Sequence, residues 1–561
     1  MMTFSTFFLS STATTYAVAT VLSLSLGMFV YRLAFDPLKK FPGPVIARFT
    51  DGYAGYHAIR RRLHLQTSSD LKAYGPVYRQ GPNRLVFNTV TALQDIYLNP
   101  KVTKARAYKY SSLEGQENLL STLDRQRRRQ KRKVYGRLLS ERALQAFEPT
   151  MHAETRVFLR QLLAVAGTDV PVNMTPLCER LVTDVSGLMA FGHALETQSK
   201  DDNRFLPRAM MGRLALANMF VAWPTLSILG MNKLVVWWNK AKFDAFRALL
   251  MRIVSTRMSL PKDAKVDYYS VATTQAVKTN DKSAEQNQQP LSSPESMKEL
   301  WGEATFLVPA GGMTTSGALT AVFFYLSRNP AAYARLASEI RTTFSSAKAI
   351  QNGPVLASCT YLRAVIDESL RLSVPTTSMP WRERIYGEEA ANDPAASSEP
   401  FIVDGHVIPP GTMVVVNTYC IMHNEEYFPD PFAFRPERWL AEDGEDEKTF
   451  QLRRRAFVPF GTGEAMCLGK GMAYLETSLV VAKTLWYFDF YRAPGAAGDL
   501  GGGATVKTGK DPARGRVDEF QLYDGIVSDH DGPGLVFTRR SGDAGWDDLL
   551  DSQSCDAVLV S

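Results

Sequence analysis

Apolar residues recur at helical spacing along most of this chain, and strand-like runs are short and local. Helical spacing covers residues 144–166, 177–189, 238–258, 297–326, 331–344 and 362–372. Strand-like runs occupy residues 84–90, 400–419 and 534–539. The pattern predicts a mainly α-helical body with small β-sheets at its edge. No internal repeat or long linker divides it, so we expect a single large domain.

The N-terminal segment is apolar and uncharged, unlike the rest of the chain. Residues 1–31 contain no charged side chain, which suits a membrane-spanning helix. Basic residues follow at Arg32, Lys39 and Lys40 and indicate that the remainder of the chain stays in the cytosol. A cleaved signal peptide is the alternative, but it would need a charged segment before the apolar run. The predicted division is an anchor at 1–35, a proline-rich hinge at 36–48, a domain at 49–540 and a polar C-terminal tail at 541–561.

Charge and cysteine content exclude several classes of protein. The chain has 64 basic and 57 acidic residues, and this net charge of +7 over 561 residues is too weak to indicate a nucleic-acid partner. The cysteines are odd in number and form no CxxC pair, which argues against a disulfide scaffold and a structural zinc site. They are Cys178, Cys359, Cys420, Cys467 and Cys555.

Three short motifs near the C-terminus carry candidate chemistry. Glu368 and Arg371 are three residues apart and share a face of a predicted helix, which alone would indicate only a surface ion pair. Arg438, in a segment rich in proline and aromatic residues, would complete a buried cluster with them. Cys467 follows a glycine-rich loop and precedes a predicted helix, whose free N–H groups can stabilise a thiolate. The sequence therefore favours a thiolate ligand at Cys467.

Taken together, these motifs resemble the cytochrome P-450 superfamily of haem-thiolate monooxygenases. The resemblance rests on ExxR (368–371), PERW (436–439) and FxxGxxxCxG (460–469), in that order. It extends from the FPGP sequence at residues 41–44 to about residue 539, and the chain looks like filamentous-fungal, microsomal members. The resemblance implies a large helical body with small sheets, in agreement with the apolar pattern.

The same resemblance implies haem b (iron protoporphyrin IX) as the cofactor, with Cys467 as the iron ligand. Glu368, Arg371 and Arg438 would be structural. Thr314, in a sequence that resembles the family's oxygen-binding AGx(D/E)T pattern, would be catalytic, through a hydrogen bond to the distal oxygen and proton relay. Without the other motifs, the two glycines there would indicate only close helix packing. The further expected cofactor-binding residues are Phe460, Gly461, Gly463, Gly469, Ala310 and Gly311.

Two positions depart from the family pattern. Met313 occupies the place of the usual acid, and a thioether cannot carry a proton. Ala465 stands where relatives commonly have an Arg or His that pairs with a haem propionate. Arg128, Arg132 and Arg382 are the cations expected to compensate. The other basic residues of 124–133 are expected to form a solvated face that can receive an acidic reductase.

The resemblance implies an NADPH-dependent monooxygenase, anchored once in the endoplasmic reticulum membrane with its catalytic domain in the cytosol. It would hydroxylate or epoxidise a small lipophilic secondary metabolite, such as a terpenoid or polyketide, with electrons from a separate NADPH–cytochrome P-450 reductase. Pocket walls would come from residues 108–120, 214–230 and 374–379 and from Phe306. Two alternatives stay open: a haem-thiolate enzyme for dehydration, rearrangement or peroxide-driven chemistry, and a non-catalytic haem-binding protein.

Overall fold

The computed structural model describes residues 11–550 except 114, 116, 262–263, 266, 273–293, 385–398, 441–445, 505–511 and 543. The first ten residues of the predicted anchor and residues 551–561 of the predicted tail, with Cys555, lie outside this description. Helices dominate and strands are few, so the predicted mainly α-helical class with small sheets is confirmed.

The helices of the described residues extend from the first to the last part of the described chain. They are α1 Ser11–Ala34, α2 Gly52–Ile59, α3 Leu63–Tyr74, α4 Val90–Tyr97, α5 Arg125–Leu138, α6 Glu141–Val165, α7 Met174–Phe191, α8 Leu206–Ala222, α9 Pro224–Ile228, α10 Met231–Trp238, α11 Lys240–Ser259, α12 Pro294–Arg328, α13 Pro330–Thr343, α14 Pro354–Ala357, α15 Thr360–Leu372, α16 Thr418–Met422, α17 Glu447–Ala456, α18 Lys470–Tyr487, α19 Gly495–Asp499 and α20 Asp547–Leu550.

The strands form three small sheets at the edge of the helical body. They are β1 Val77–Gly81, β2 Arg84–Phe87, β3 Val102–Lys104, β4 Val172–Asn173, β5 Arg382–Arg384, β6 Phe401–Val403, β7 His406–Ile408, β8 Met413–Val416, β9 Phe488–Arg492 and β10 Gly534–Arg539. The largest sheet has the order β1-β2-β8-β5-β3, and the others are β4-β10-β9 and β6-β7. Because β3 and β5 are antiparallel neighbours, Lys104 lies directly opposite Arg382.

The long helix α12 forms the centre of the body. Its most apolar stretch is the one candidate membrane span among the described residues, and 72% of that stretch is buried inside the protein. Helix α7 packs along it more extensively than any other element does. The close approach is possible because Gly311 and Gly312 lack side chains; a Cβ on Gly311 would lie 2.9 Å from Ser186 Oγ. Helix α12 is therefore a core helix.

Most predicted elements are present within a few residues of their expected bounds, and two differ. The predicted helix 238–258 is interrupted at Asn239, so Trp238 ends α10 and a new helix begins at Lys240. The predicted strand 84–90 stops at Phe87, because the Thr89 side chain accepts a hydrogen bond from the Ala92 N–H and thereby starts α4. The terminal strand is present as predicted at Gly534–Arg539.

Candidate functional site

Cys467 lies at the end of a tight loop that begins at Phe460. Its N–H donates to the Phe460 carbonyl over 2.8 Å and closes the loop. Gly461 and Gly463 both have φ of +70°, a conformation that side chains disfavour. A Cβ on Gly463 would also lie 2.0 Å from the Tyr97 carbonyl oxygen, so this position has no room for a side chain. The loop is therefore held against the end of α4.

The Cys467 thiol is exposed, whereas Cys178, Cys359 and Cys420, the other described cysteines, are buried. Burial nevertheless raises the pKa of the Cys467 thiol, while the Gly469 N–H, the Arg132 charge and the Lys470 N–H lower it. A thiol that protein surrounds but does not cover lies in the wall of a cleft. Gly469 leaves space beside it, since a Cβ there would be 3.7 Å from the sulfur. This environment suits a thiolate that would serve as a metal ligand.

Phe460 and the cluster of Glu368, Arg371 and Arg438 lie behind this loop. Phe460 packs against Tyr474 on α18, with ring centroids 5.0 Å apart. Glu368 accepts from Arg371 Nε and Nη2 at 2.9 and 2.8 Å, and from Arg438 Nε at 3.3 Å. Burial lowers the pKa of Arg438 to about 10, and the Glu368 charge partly offsets this effect. The structure thus brings the three predicted residues together in the core.

Arg371 also binds three backbone carbonyls of the segment that leads to Cys467. Its guanidinium donates to the carbonyls of Met422, Pro431 and Ala433 at 3.0, 2.7 and 3.2 Å. The Trp439 indole adds a further bond to Glu368, at 3.0 Å. A buried charge that is fully hydrogen-bonded can hold an irregular segment in one conformation. The cluster therefore fixes the chain that precedes the cysteine loop.

The predicted oxygen-binding residues lie on α12, directly after Pro309. Phe306, Ala310 and Thr314 are spaced one helical turn apart and are half-buried, as are Thr305 and Gly311, whereas residues 307–309 and 312–313 are buried. We call this side of α12 the distal face. The Thr314 hydroxyl donates to the Ala310 carbonyl over 2.7 Å. Pro309 lacks an N–H and so removes one helical hydrogen bond at this point, which favours a local opening of the helix.

Gly311 contacts helix α7, and Met313 is buried in the core. Gly311 packs closely against Ser186 of α7, so the glycine pair is a contact between helices as well as a candidate oxygen notch. Met313 is buried to 1% exposure in the apolar core. The acid that the resemblance calls for is thus replaced by a core side chain that neither donates nor accepts protons.

Four basic side chains gather between α5 and the β3–β5 edge, and we call them the cation cluster. They are Lys104, Arg128, Arg132 and Arg382. Arg128, Arg382 and Lys104 are buried, and Arg132 Nη2 donates to the Met466 carbonyl over 2.8 Å. None of the four forms an ion pair with an acidic residue in the part of the chain that the structure describes. Sequence analysis predicted the three arginines but missed Lys104.

Because the four cations are close together and mostly buried, the cation cluster destabilises the folded protein unless an anion binds there. Burial, then the Arg128 and Arg382 charges, hold the pKa of Lys104 well below its usual range. Burial and the Arg382 charge lower the pKa of Arg128 to about 10. Lys104 donates to the carbonyls of Leu119 and Leu120 and Arg128 to that of Leu123, but neither pairs with a carboxylate among the described residues. Like charges opposite each other on neighbouring strands are destabilising. A buried group with two carboxylates would offset two of these charges.

This arrangement fits the haem implied by the resemblance. The exposed thiol of Cys467 would ligate iron, and the cation cluster would bind the two propionates. Lys104, which lies opposite Arg382 on the neighbouring strand, adds a cation that could compensate for the one missing at Ala465. Glu464, next to Ala465, pairs instead with Arg125 and Arg129 at 3.0 Å each and so joins the cysteine loop to α5.

Comparison with known proteins identifies the family that this geometry indicates. The model of the cytochrome P-450 family matches residues 58–498. The monooxygenase AKT7 of Alternaria alternata is 32% identical over 94% of this chain and 97% of its own length. The monooxygenase apf7 of Gibberella fujikuroi is 31% identical over 94% and 97%. The monooxygenase poxM of Penicillium oxalicum is 32% identical over 84% and 88%. All three bear the name cytochrome P-450 monooxygenase.

Proposed function

Because this chain belongs to the cytochrome P-450 family of monooxygenases, we propose that it hydroxylates or epoxidises a small lipophilic secondary metabolite with O₂ and NADPH. A separate NADPH–cytochrome P-450 reductase supplies the electrons. The observation that carries the proposal is the exposed Cys467 thiol beside a buried cation cluster. When bound there, haem b supplies the iron chemistry that activates oxygen.

The proposal gives each site residue a task that its position supports. Cys467 is the iron ligand, and the N–H groups of Gly469 and Lys470 stabilise its thiolate. Thr314 is the catalytic residue, since its hydroxyl lies on the distal face and can pass a proton onward. Phe460, whose carbonyl accepts the Cys467 N–H, would shield the haem near the sulfur. The remaining cofactor-binding residues are Gly461, Gly463, Ala310, Gly311, Lys104, Arg128, Arg132 and Arg382.

The lipophilic substrate class is supported by the apolar segments above α12. Leu113, Phe220 and Phe243 form a buried cluster that joins the segment before α5 to α8 and α11. Tyr110 and Met219 pack against it from partly exposed positions. Side chains of this kind favour a terpenoid or polyketide skeleton over a charged substrate.

Oxygen incorporation tests the proposal. Lipophilic metabolites are screened for a shift in the haem spin state, and those that respond are incubated with NADPH, reductase and ¹⁸O₂. We expect one ¹⁸O atom in the product. A product that forms equally well without oxygen or NADPH contradicts monooxygenation.

A haem-thiolate enzyme of another type is the second candidate, because Met313 removes the usual acid from the distal side. Dehydration, rearrangement or peroxide-driven reactions need no proton relay of that kind. The same incubation distinguishes them, since a rearrangement leaves the product without ¹⁸O and a peroxide-driven reaction proceeds without NADPH. A non-catalytic haem-binding protein would give no product under any of these conditions.

Anchorage in the endoplasmic reticulum membrane is proposed from two apolar surfaces. Helix α1 exposes Leu22 and Leu26. Helix α10 exposes Trp237 and Trp238 to 68% and 78%, and Trp223, before α9, packs on Gly55 of α2. Tryptophan is enriched at membrane surfaces. The division into an anchor at 1–35, a hinge at 36–48, a cytosolic domain at 49–540 and a tail at 541–561 is part of this proposal, and protease protection of microsomes tests its orientation.

A further inference from the structure

Buried polar atoms without a hydrogen-bond partner concentrate along one seam of the protein. The seam lies between α7 and α12 and continues into the loop 528–530, which precedes β10. Six such atoms lie there, and none has a hydrogen-bond partner among the described residues: Thr183 Oγ1, Ser186 Oγ, Ser316 Oγ, Ser528 Oγ, and His530 Nδ1 and Nε2. Buried polar groups are normally paired, so this concentration needs an explanation.

The seam runs from the oxygen notch toward the molecular surface. At the inner end, Ser186 Oγ would lie 2.9 Å from a Cβ on Gly311 and 3.6 Å from one on Gly312. At the outer end, His530 Cε1 would lie 3.7 Å from a Cβ on Gly317. Six residues of helix separate Gly311 from Gly317, a distance of about 9 Å. Ser316 lies between these ends, one turn after Gly312.

The inner end of the seam touches the helix that carries the distal face. The Thr315 hydroxyl donates to the Gly311 carbonyl over 2.9 Å, and the Thr314 hydroxyl donates to the Ala310 carbonyl over 2.7 Å. Each hydroxyl oxygen keeps lone pairs that accept a further hydrogen bond. The inner end of the seam, at Gly311, is therefore adjacent in the helix to Ala310, whose carbonyl accepts from Thr314.

The outer end leads to titratable groups near solvent. Glu179 and Thr183 are four residues apart and share a face of α7 with Ser186. Burial and the Asp529 charge raise the pKa of Glu179 to about 7, so this carboxyl exchanges protons near neutrality. Asp529 pairs with Arg61 at 2.9 Å, and both side chains are 31% exposed. The Ser528 carbonyl lies near the His530 ring but not in hydrogen-bond geometry.

We propose that ordered water fills the α7–α12 seam and passes protons from Glu179, through Thr183 and Ser186, to the Gly311–Gly312 notch. Each hydroxyl or water accepts a proton from its neighbour on the Glu179 side and donates one to its neighbour on the Gly311 side. Solvent then reprotonates Glu179. Internal water typically makes about three hydrogen bonds to buried polar groups, which the seam atoms provide. The route rests on the proposed function, because only oxygen activation consumes the protons.

Two measurements on the haem-loaded full chain test the route. The first is a crystal structure, in which we expect water hydrogen-bonded to Ser186 Oγ and Thr183 Oγ1. A dry seam, with both hydroxyls bonded to carbonyls of their own helix, overturns the inference whether or not the protein is a monooxygenase. This readout does not depend on activity.

The second measurement is the ratio of peroxide formed to NADPH consumed, with reductase and no added substrate. Ser186→Ala and Thr183→Val are compared with Thr155→Val, a matched control whose buried hydroxyl is satisfied by the Met151 carbonyl at 2.7 Å. We expect the two seam variants to raise the ratio several-fold and the control to leave it unchanged. Each variant must first show the carbon-monoxide spectrum of thiolate-ligated haem. If all variants have the spectrum and one common ratio, the proton route is wrong while the proposed function stands.

Discussion

Glu368 and Arg371 form a bidentate ion pair in which both side chains are completely buried. Their neighbours are Arg438 and Trp439, which bond to the same carboxylate. The Glu368 carboxylate is therefore the counter-charge for both buried guanidinium groups, those of Arg371 and Arg438. The pair therefore determines how the segment before the cysteine loop is fixed, and its removal should affect folding and haem incorporation together.

Replacement of Glu368 by Gln keeps the shape and removes the counter-charge. Because two buried arginines then lack it, we expect the free energy of unfolding to fall by about 3–5 kcal/mol. Denaturant titration measures this change. The control is Asp244→Asn, which breaks an exposed ion pair with Lys240 and should leave the stability unchanged. Equal stability of Glu368→Gln and the native protein would show that the cluster does not bear on folding.

Gly463→Ala separates steric collision from backbone strain. Gly463 and Gly405 both have positive φ, +70° and +75°, but only Gly463 faces an atom, the Tyr97 carbonyl oxygen. Gly405→Ala should therefore cost only about 1–2 kcal/mol of backbone strain. Gly463→Ala should displace the cysteine loop and abolish stable haem binding, as measured by absorbance after gel filtration. Normal haem content in Gly463→Ala would mean that the loop does not need its contact with α4.

Arg382→Met tests the cation cluster. The variant keeps an unbranched apolar stem but removes the guanidinium, whose charge has no acidic partner among the described residues. If the cluster binds the propionates, the loss of one charge-assisted hydrogen bond should speed haem loss roughly tenfold. Transfer of haem to apomyoglobin measures the rate. Arg492→Met, which removes an exposed arginine paired with Asp499 away from the cysteine loop, is the control and should keep the native rate. Equal rates in the two variants would remove Arg382 from the haem site.

The sequence pattern predicted much of this fold but could not reveal the whole cation cluster. Apolar periodicity located α12 and α15, because a buried helix has apolar residues at regular spacing in each turn. No local pattern marks Lys104. It lies beside Arg382 only because β3 pairs with β5, and these strands are far apart in the sequence; the bond between Arg106 and Glu383 there spans 277 residues. Ser186 and Gly311, and likewise His530 and Gly317, are brought together only by tertiary packing. Contacts between distant segments were thus the part that local reasoning missed.

Glu476 should make stability depend on pH. It lies on α18 at 2% exposure, and neither carboxylate oxygen has a hydrogen-bond partner among the described residues. Burial raises its pKa from 4.5 to about 8. The folded state therefore holds the proton more tightly than the unfolded state. Its stabilising contribution is full below pH 4.5 and is lost as the pH rises through about 8.

Thermal unfolding across this pH range measures the effect. Glu476→Gln stays neutral at every pH, so it should match the native protein in acid and become more stable than it, by a few kcal/mol, toward pH 8. Glu425→Gln changes an exposed carboxyl and should follow the native curve throughout. Parallel curves for Glu476→Gln and the native protein would show that Glu476 has a partner or reaches solvent.

The carbon-monoxide spectrum of the reduced protein tests the thiolate bond most directly. The native protein should show the red-shifted Soret band of a haem with a thiolate ligand, and Cys420→Ala, which alters a buried cysteine, should keep it. Cys467→Ala should lose the band. If Cys467→Ala retains the red-shifted band, or if the native protein lacks it, Cys467 is not the iron ligand and the account of this site is wrong.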